Sequence, residues 1–197
     1  MACDILLIRH ARHADLGVVL SGRGACAGLV DEGRADADRL ADRLAGRSFD
    51  RVETSPVGRA QETAARIAAP HQLPVQTVDA LDEIDFGDWT GRRFDELSAD
   101  PAWHEWNRAR AEGASPGGET MRRVQARVLD HIERVARSGA IGSVAMVTHG
   151  DVIRAAVAGV LGLSLDHIHR YAVDPASVTH IRHDGSPVLI TLNEVTA

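Results

Sequence analysis

The chain has 197 residues, 44% of them hydrophobic and 25% charged, a size and composition suited to a globular domain with a substantial core. A formal net charge of −6 sets the chain as a whole against a nucleic-acid backbone, and no run of Lys and Arg forms a basic stripe, so any anion site has to be local. No apolar run approaches the roughly 18 residues needed to span a bilayer, so no membrane partner is expected.

The opening MACDILLIRH lacks a basic segment followed by a long apolar stretch, so no secretory leader is expected and a cytoplasmic location is. Residues 5–8 are four apolar residues in a row, suited to a strand buried on both faces, and the run ends abruptly in Arg9, His10, Arg12 and His13. The alanines of residues 35–45, with Leu40 and Leu44, predict a helix closed by Gly46, and residues 51–54 a second strand. Residues 56–69 begin with a proline suited to a first turn and stop before Pro70, predicting another helix; residues 75–78 have strand length.

Residues 81–118 break the rhythm. They are acidic, rich in Gly and Pro, weakly periodic, and hold all three tryptophans, Trp89, Trp103 and Trp106, which reads as a lid lobe over a site, pinned to the core by its aromatics. A helix is predicted over residues 120–136, with Met121, Val124, Val128, Ile132 and Val135 on one face, then a strand over 144–147 and a helix over 151–161. Two strands, 178–182 and 188–192, flank Asp184-Gly185, a hairpin signal. The alternation predicts an α/β fold: a three-layer sandwich with a mostly parallel central sheet and an antiparallel edge, one domain over residues 1–197 with 81–118 as a lid insertion.

Cys3 and Cys26 form neither a metal spacing nor a disulfide framework. His167 and His169 have a metal-ligand look, but without a matching carboxylate cluster they read as surface or packing residues, and no metal or cofactor is expected. Thr120 or Ser115 is expected near the cap of the helix that follows.

In open parallel sheets ligands sit outside the carboxyl ends of the strands, so the strand exits direct attention to particular residues. The first exits into Arg9 and His10, the second through Ser55-Pro56 into a helix bearing Arg59, and the fourth into His149-Gly150 at a helix start. Two arginines, two histidines and unpaired helix N–H groups together suit a tetrahedral dianion. A cation in the first turn opposes the helix dipole by about 0.3 to 1 kcal/mol, so Arg59 there invites an external anion, against the competing reading of a pair with Glu62 or Glu53. The acidic stretch offers Asp79, Asp82, Glu83, Asp85 and Asp88 as proton donors without choosing among them.

The motifs LLIRHA, SPVGRAQET, LDEIDFGDWTG, PGGET and VTHGD, in that order, resemble the histidine phosphatase superfamily, in the branch related to cofactor-dependent phosphoglycerate mutase, over nearly the whole chain. The resemblance implies a nucleophilic His10 that takes a phosphoryl group, phosphate contacts from Arg9, Arg59 and His149, and Glu83 as the general acid and base, with Gly150 expected to bind substrate from its place at the helix start. It implies a metal-independent phosphatase acting on small phosphomonoesters. A phosphoglycerate mutase, which needs a more closed site than this lobe suggests, and a catalytically silent phospho-ligand module are the alternatives.

The chain departs from the family pattern after Arg9-His10. Ala11, Arg12, His13 and Ala14 stand where Gly, Glu and a hydroxyl residue are usual, and the phosphate-contacting Asn has no counterpart. Arg12 and His13 are expected to meet a second anionic group on the substrate, the competing reading being a solvent-facing loop. Oligomeric state is left open by the sequence.

Overall fold

The computed structural model describes residues 2–24 and 28–195; Cys26 lies outside the described residues. The chain order is β1 (Cys3–Arg9), α1 (Asp31–Leu44), β2 (Arg51–Thr54), α2 (Gly58–Ala68), β3 (Val75–Thr77), the short helices α3 (Phe94–Leu97) and α4 (Pro101–Arg108), α5 (Met121–Arg137), β4 (Ser143–Thr148), α6 (Gly150–Leu161), β5 (Val178–His183) and β6 (Pro187–Glu194). The strands form one sheet in the order β3-β2-β4-β1-β5-β6. The first four are parallel, and β5 and β6 add antiparallel to β1. The mixed sheet with its antiparallel edge is therefore the one the strand-helix alternation predicts.

Alternation along β1 builds two cores at once, since successive side chains of a strand face opposite ways. Leu6 and Ile8 join Leu40 of α1 and Ala60, Ala64 and Ile67 of α2 on one face. Ile5 and Leu7 join Val124, Val128 and Ile132 of α5 and the alanines of α6 on the other. Both layers hold the carboxyl end of β1 against that of β4, with Arg9 paired to Thr148 in register.

Residues 81–118 are anchored to the larger core by Leu81, Ile84, Phe86, Trp89, Leu97 and Trp106. Trp89 meets Trp103 and Trp106 edge-on, at centroid distances of 5.3 and 5.5 Å. Gly87, at φ +52°, explains one motif: a Cβ there would lie 2.0 Å from the Pro116 carbonyl, and one on Gly118 would lie 2.3 Å from that of Asp85. The bare backbones let Asp88 N–H donate to Pro116 O at 2.9 Å and Glu119 N–H to Asp85 O at 2.8 Å.

Some boundaries differ from expectation. Pro56 sits in the bend before α2 rather than in its first turn, and Val57 is the N-cap. Pro70 does not end the helical path, because a 3-10 turn over Ala69–His71 absorbs it. Thr120, by contrast, caps α5 by accepting from Arg123 N–H.

Candidate active site

His10 leaves the carboxyl end of β1 with its main-chain N–H on Thr148 O, so the sheet itself fixes its height. The next peptide is tied to α2 by Ala11 N–H donating to Thr63 Oγ1 at 3.1 Å. The His10 ring donates from Nδ1 to the Ala11 carbonyl at 2.9 Å, which leaves the lone pair on Nε2, where it accepts from Arg59 Nε at 3.1 Å. Burial first, then the charges of Arg59 and Arg9, hold the imidazole well below its ordinary 6.5, so it stays neutral and nucleophilic.

Arg59 is buried in the first turn of α2, and neither expected carboxylate pairs with it. Glu62 instead accepts from Leu29 N–H and Arg34, and Glu53 from His131 and Arg51. The Arg59 Nη2 donates to Gly22 O at 2.9 Å and to His149 Nδ1 at 3.1 Å, and it lies 3.7 Å from Glu83 Oε2. The rings of His10 and His149 are 5.1 Å apart, so the ends of β1 and β4 bring together two residues 139 positions apart in sequence.

His149 is the N-cap of α6 and fully buried; its Nε2–H donates to Ser55 Oγ at 2.8 Å, and Ser55 in turn donates to Asp82 Oδ1 at 3.3 Å. It is expected among the phosphate contacts, and its Nδ1 accepts from Arg59 Nη2 and lies 3.5 Å from Glu83 Oε2. Burial, then His10 and Arg59, keep it neutral as well.

Glu83 separates itself from the other acidic candidates. Its Oε1 accepts from Ile84 N–H at 3.0 Å, and its Oε2 lies 3.5 Å from His149 Nδ1. Burial, then the charge of Asp151, push the carboxyl up to about 7 against the pull of Arg59. Its main-chain carbonyl is gripped by Arg23 at 2.7 Å and Arg127 at 3.2 Å, and Glu119 of the PGGET motif bridges those two arginines.

A cavity of about 690 Å³ is lined by Arg9, His10, Arg59, Glu83 and Gly150 together with Arg12 and His13. Arg9 donates from Nη1 to Val173 O at 2.7 Å while its buried Nε has no protein partner. Arg12 is half exposed and donates to Asp36 at 3.0 Å, so its charge is already engaged. His13 is buried edge-on to His10 at 5.2 Å, and burial, then Arg59, push it down to about 4, so the extra positive charge expected from it is absent near neutral pH.

The sequence reading missed three members of this region. Asp151 is held below its ordinary value by Arg110 at 3.1 Å and by Arg154, although burial alone would raise it. Arg110 also lies over the Trp106 ring at 3.5 Å, joining residues 81–118 to the start of α6. Arg154, one turn into α6, carries the same signal as Arg59, a cation near a helix N-terminus. Among the described residues no group of three or more His, Cys, Asp or Glu side chains is placed to hold a metal, His167 and His169 included, and no helix is long and apolar enough to cross a membrane.

Known proteins share this arrangement's framework. The family model of the histidine phosphatase superfamily (branch 1) matches residues 5–195. The adenosylcobalamin/alpha-ribazole phosphatase of Escherichia coli (strain K12) is 30% identical over 85% of this chain and 84% of its own length. A 2,3-bisphosphoglycerate-dependent phosphoglycerate mutase of Bartonella quintana (strain Toulouse) is 35% identical over 84% of this chain and 81% of its own. The native structure of a mycobacterial glucosyl-3-phosphoglycerate phosphatase superposes with a TM-score of 0.87 at 26% identity, covering 98% of this chain and 99% of that one. With the strand exits converging as the motifs imply and the family match running almost end to end, the chain belongs to the histidine phosphatase superfamily, branch 1.

Proposed function

We propose that the protein is a phosphomonoesterase that works without a metal, through a phosphoryl group carried on His10 Nε2. The observation that carries this reading is the neutral imidazole whose Nε2 lone pair faces Arg59, in one cavity with a Glu83 carboxyl pushed up to about 7. A bound phosphate takes over the Arg59 donors and adds those of Arg9 and the first N–H groups of α6, where the helix dipole favours an anion. The Nε2–P bond then forms as the ester P–O bond breaks, and Glu83 gives its proton to the leaving alkoxide. In the second half, the Glu83 carboxylate takes a proton from water, the new O–P bond forms, and the N–P bond breaks. His149, tied to Ser55, keeps Arg59 and Glu83 in place through both halves, and residues 81–118 wall the cavity. The reading places the enzyme in the cytoplasm, where a buried free Cys3 needs no partner.

The test is hydrolysis of an aryl phosphate in excess chelator. Wild type is expected to turn over, and His10→Ala to lose roughly a thousandfold or more of kcat, the scale at which removal of a nucleophile is felt. Comparable activity in the variant removes His10 from the mechanism, and dependence on added metal removes the metal-free reading.

A mutase reading is favoured by the 35% identity to the Bartonella quintana relative. It requires glycerate rather than water to receive the phosphoryl group, so the partition of labelled phosphate between inorganic phosphate and a phosphoglycerate separates the two. Failure to hydrolyse any phosphoester, with phosphate esters still bound, is the outcome that a silent binding module would give.

A further inference from the structure

Part of the cavity lining is built differently from the residues expected to meet phosphate. Leu16, Val19, Leu20, Phe86 and Phe94 line it, drawn from two segments far apart in the chain. Main-chain bonds zip those segments together: Leu20 N–H donates to Arg92 O at 2.9 Å, Gly91 N–H to Leu20 O at 2.8 Å, and Phe94 N–H to Val18 O at 3.0 Å. Aromatic contacts fix the wall from behind, Phe86 on Trp106 at 5.7 Å and Phe94 on Trp103 at 6.2 Å. Leu20 and Phe86 are already buried, whereas Leu16, Val19 and Phe94 keep partly open faces for an occupant to cover.

Charge sets the complementary limit. Five arginines line the cavity, and at its mouth Arg12 and Arg39 both bond Asp36 while Arg154 bonds Asp151. Asp36 thus holds two arginines, and Asp151 is likewise shared between Arg154 and the buried Arg110. One phosphomonoester group carries about −1.5 to −2 and suits the end of the cavity that holds Arg9 and Arg59. A second anionic group near Arg12, Arg39 or Arg154 would have to compete with Asp36 or Asp151 for them. Its extent, about 690 Å³, lies within the range of about 300 to 1,000 Å³ typical of sites for drug-sized ligands.

Building on the phosphatase reading, we infer that the substrate is a phosphomonoester whose leaving group is uncharged and presents an apolar or aromatic face, seated on the wall formed by Leu16, Val19 and Phe94. Arg12 then closes the mouth with Asp36 rather than reading a second anion, which sets aside the role expected of it from the sequence. Phosphoamino acids and phosphoglycerates, small and doubly charged, fit this wall poorly.

The experiment compares kcat/KM for 2-phenylethyl phosphate and for phosphoserine, both alkyl esters, so that an activated aryl leaving group does not decide the result. It is paired with calorimetric binding of 3-phenylpropylphosphonate and 3-carboxypropylphosphonate, which cannot be hydrolysed. The phenyl ester is expected to be preferred by at least about tenfold, the scale on which a few apolar contacts discriminate. Phe94→Ser and Leu16→Ser are each expected to cut that preference severalfold, with circular dichroism checking the fold. Tighter binding of the phenylphosphonate without any hydrolysis supports the wall and overturns the phosphatase reading. Preference for phosphoserine and the carboxylphosphonate, or a preference that neither serine variant changes, overturns the wall.

Discussion

At the scale of single residues, the proposed mechanism depends on holding protons where its chemistry needs them. Glu83 has to be protonated to serve the leaving group, and its carboxyl lies at about 7. His10 has to be neutral, and it is held well below 6.5. The phosphorylation rate is therefore expected to fall as pH rises through about 7 and to show no acid limb from His10 near 6; a pH profile of single-turnover rates checks both. Glu83→Gln removes the alkaline limb along with most of the rate. Arg59→Lys keeps a charge but loses the fork that reaches His10, Gly22 and His149 together, and a fall of about 10² to 10³ in kcat/KM is expected from steady-state kinetics. Arg9, His10, Arg59 and Gly150 were legible because each follows a strand or opens a helix. Glu83 was legible only through the family pattern, since five acidic residues in ten positions carry no periodicity that separates one from another. Its distinction is burial beneath residues remote in sequence.

At the scale of elements, the placing of Glu83 depends on how two glycine-bearing turns pack. A Cβ on Gly118 meets the Asp85 carbonyl at 2.3 Å and Ser115 Oγ at the same distance, and neither can retreat without disturbing the turn that follows Glu83. Gly118→Ala is expected to cost about 1 to 3 kcal/mol by urea unfolding, as overpacking does, and to lower kcat as well. Stability loss with kcat unchanged would disconnect the turn from the acid. Outside residues 81–118, where α3 and α4 went unread, helix and strand existence was legible in the apolar periodicity. The start of α2 and the passage through Pro70 were not, because a bend before one and a 3-10 turn after it satisfy the same local preferences as the simpler helix. Within residues 81–118, the short helices are held by ring contacts among Trp89, Phe94, Trp103 and Trp106 and by burial in the core shared with α5 and α6, contacts that no local pattern announces.

At the scale of the whole molecule, three histidines are folded in their neutral form. Below pH 6.5 an unfolded chain takes up protons at His10, His13 and His149 that the folded chain refuses, so stability falls as pH drops through that value. Glu83 acts in the opposite sense between 4.5 and about 7, because there the folded chain holds a proton the unfolded one has lost. His169 is held down by burial as well, so the histidines outweigh Glu83 and the net effect of acidification is loss of stability. Urea midpoints between pH 7 and pH 5 are expected to fall accordingly, and His13→Asn to make the decline shallower. A mostly parallel sheet with an antiparallel edge was legible from the strand-helix alternation and the terminal hairpin, whereas the strand order was not. The apolar wall was not, since it forms only when residues 16–20 zip against residues 91–94.

The central claim is covalent. Mixing the enzyme with an aryl phosphate, quenching in base within milliseconds and mapping the phosphoryl group by mass spectrometry should find it on His10 Nε2, labile to acid, in larger amount in Glu83→Gln, where water is no longer activated. Turnover at full rate with no phosphoryl group on His10 at any time point would contradict the account.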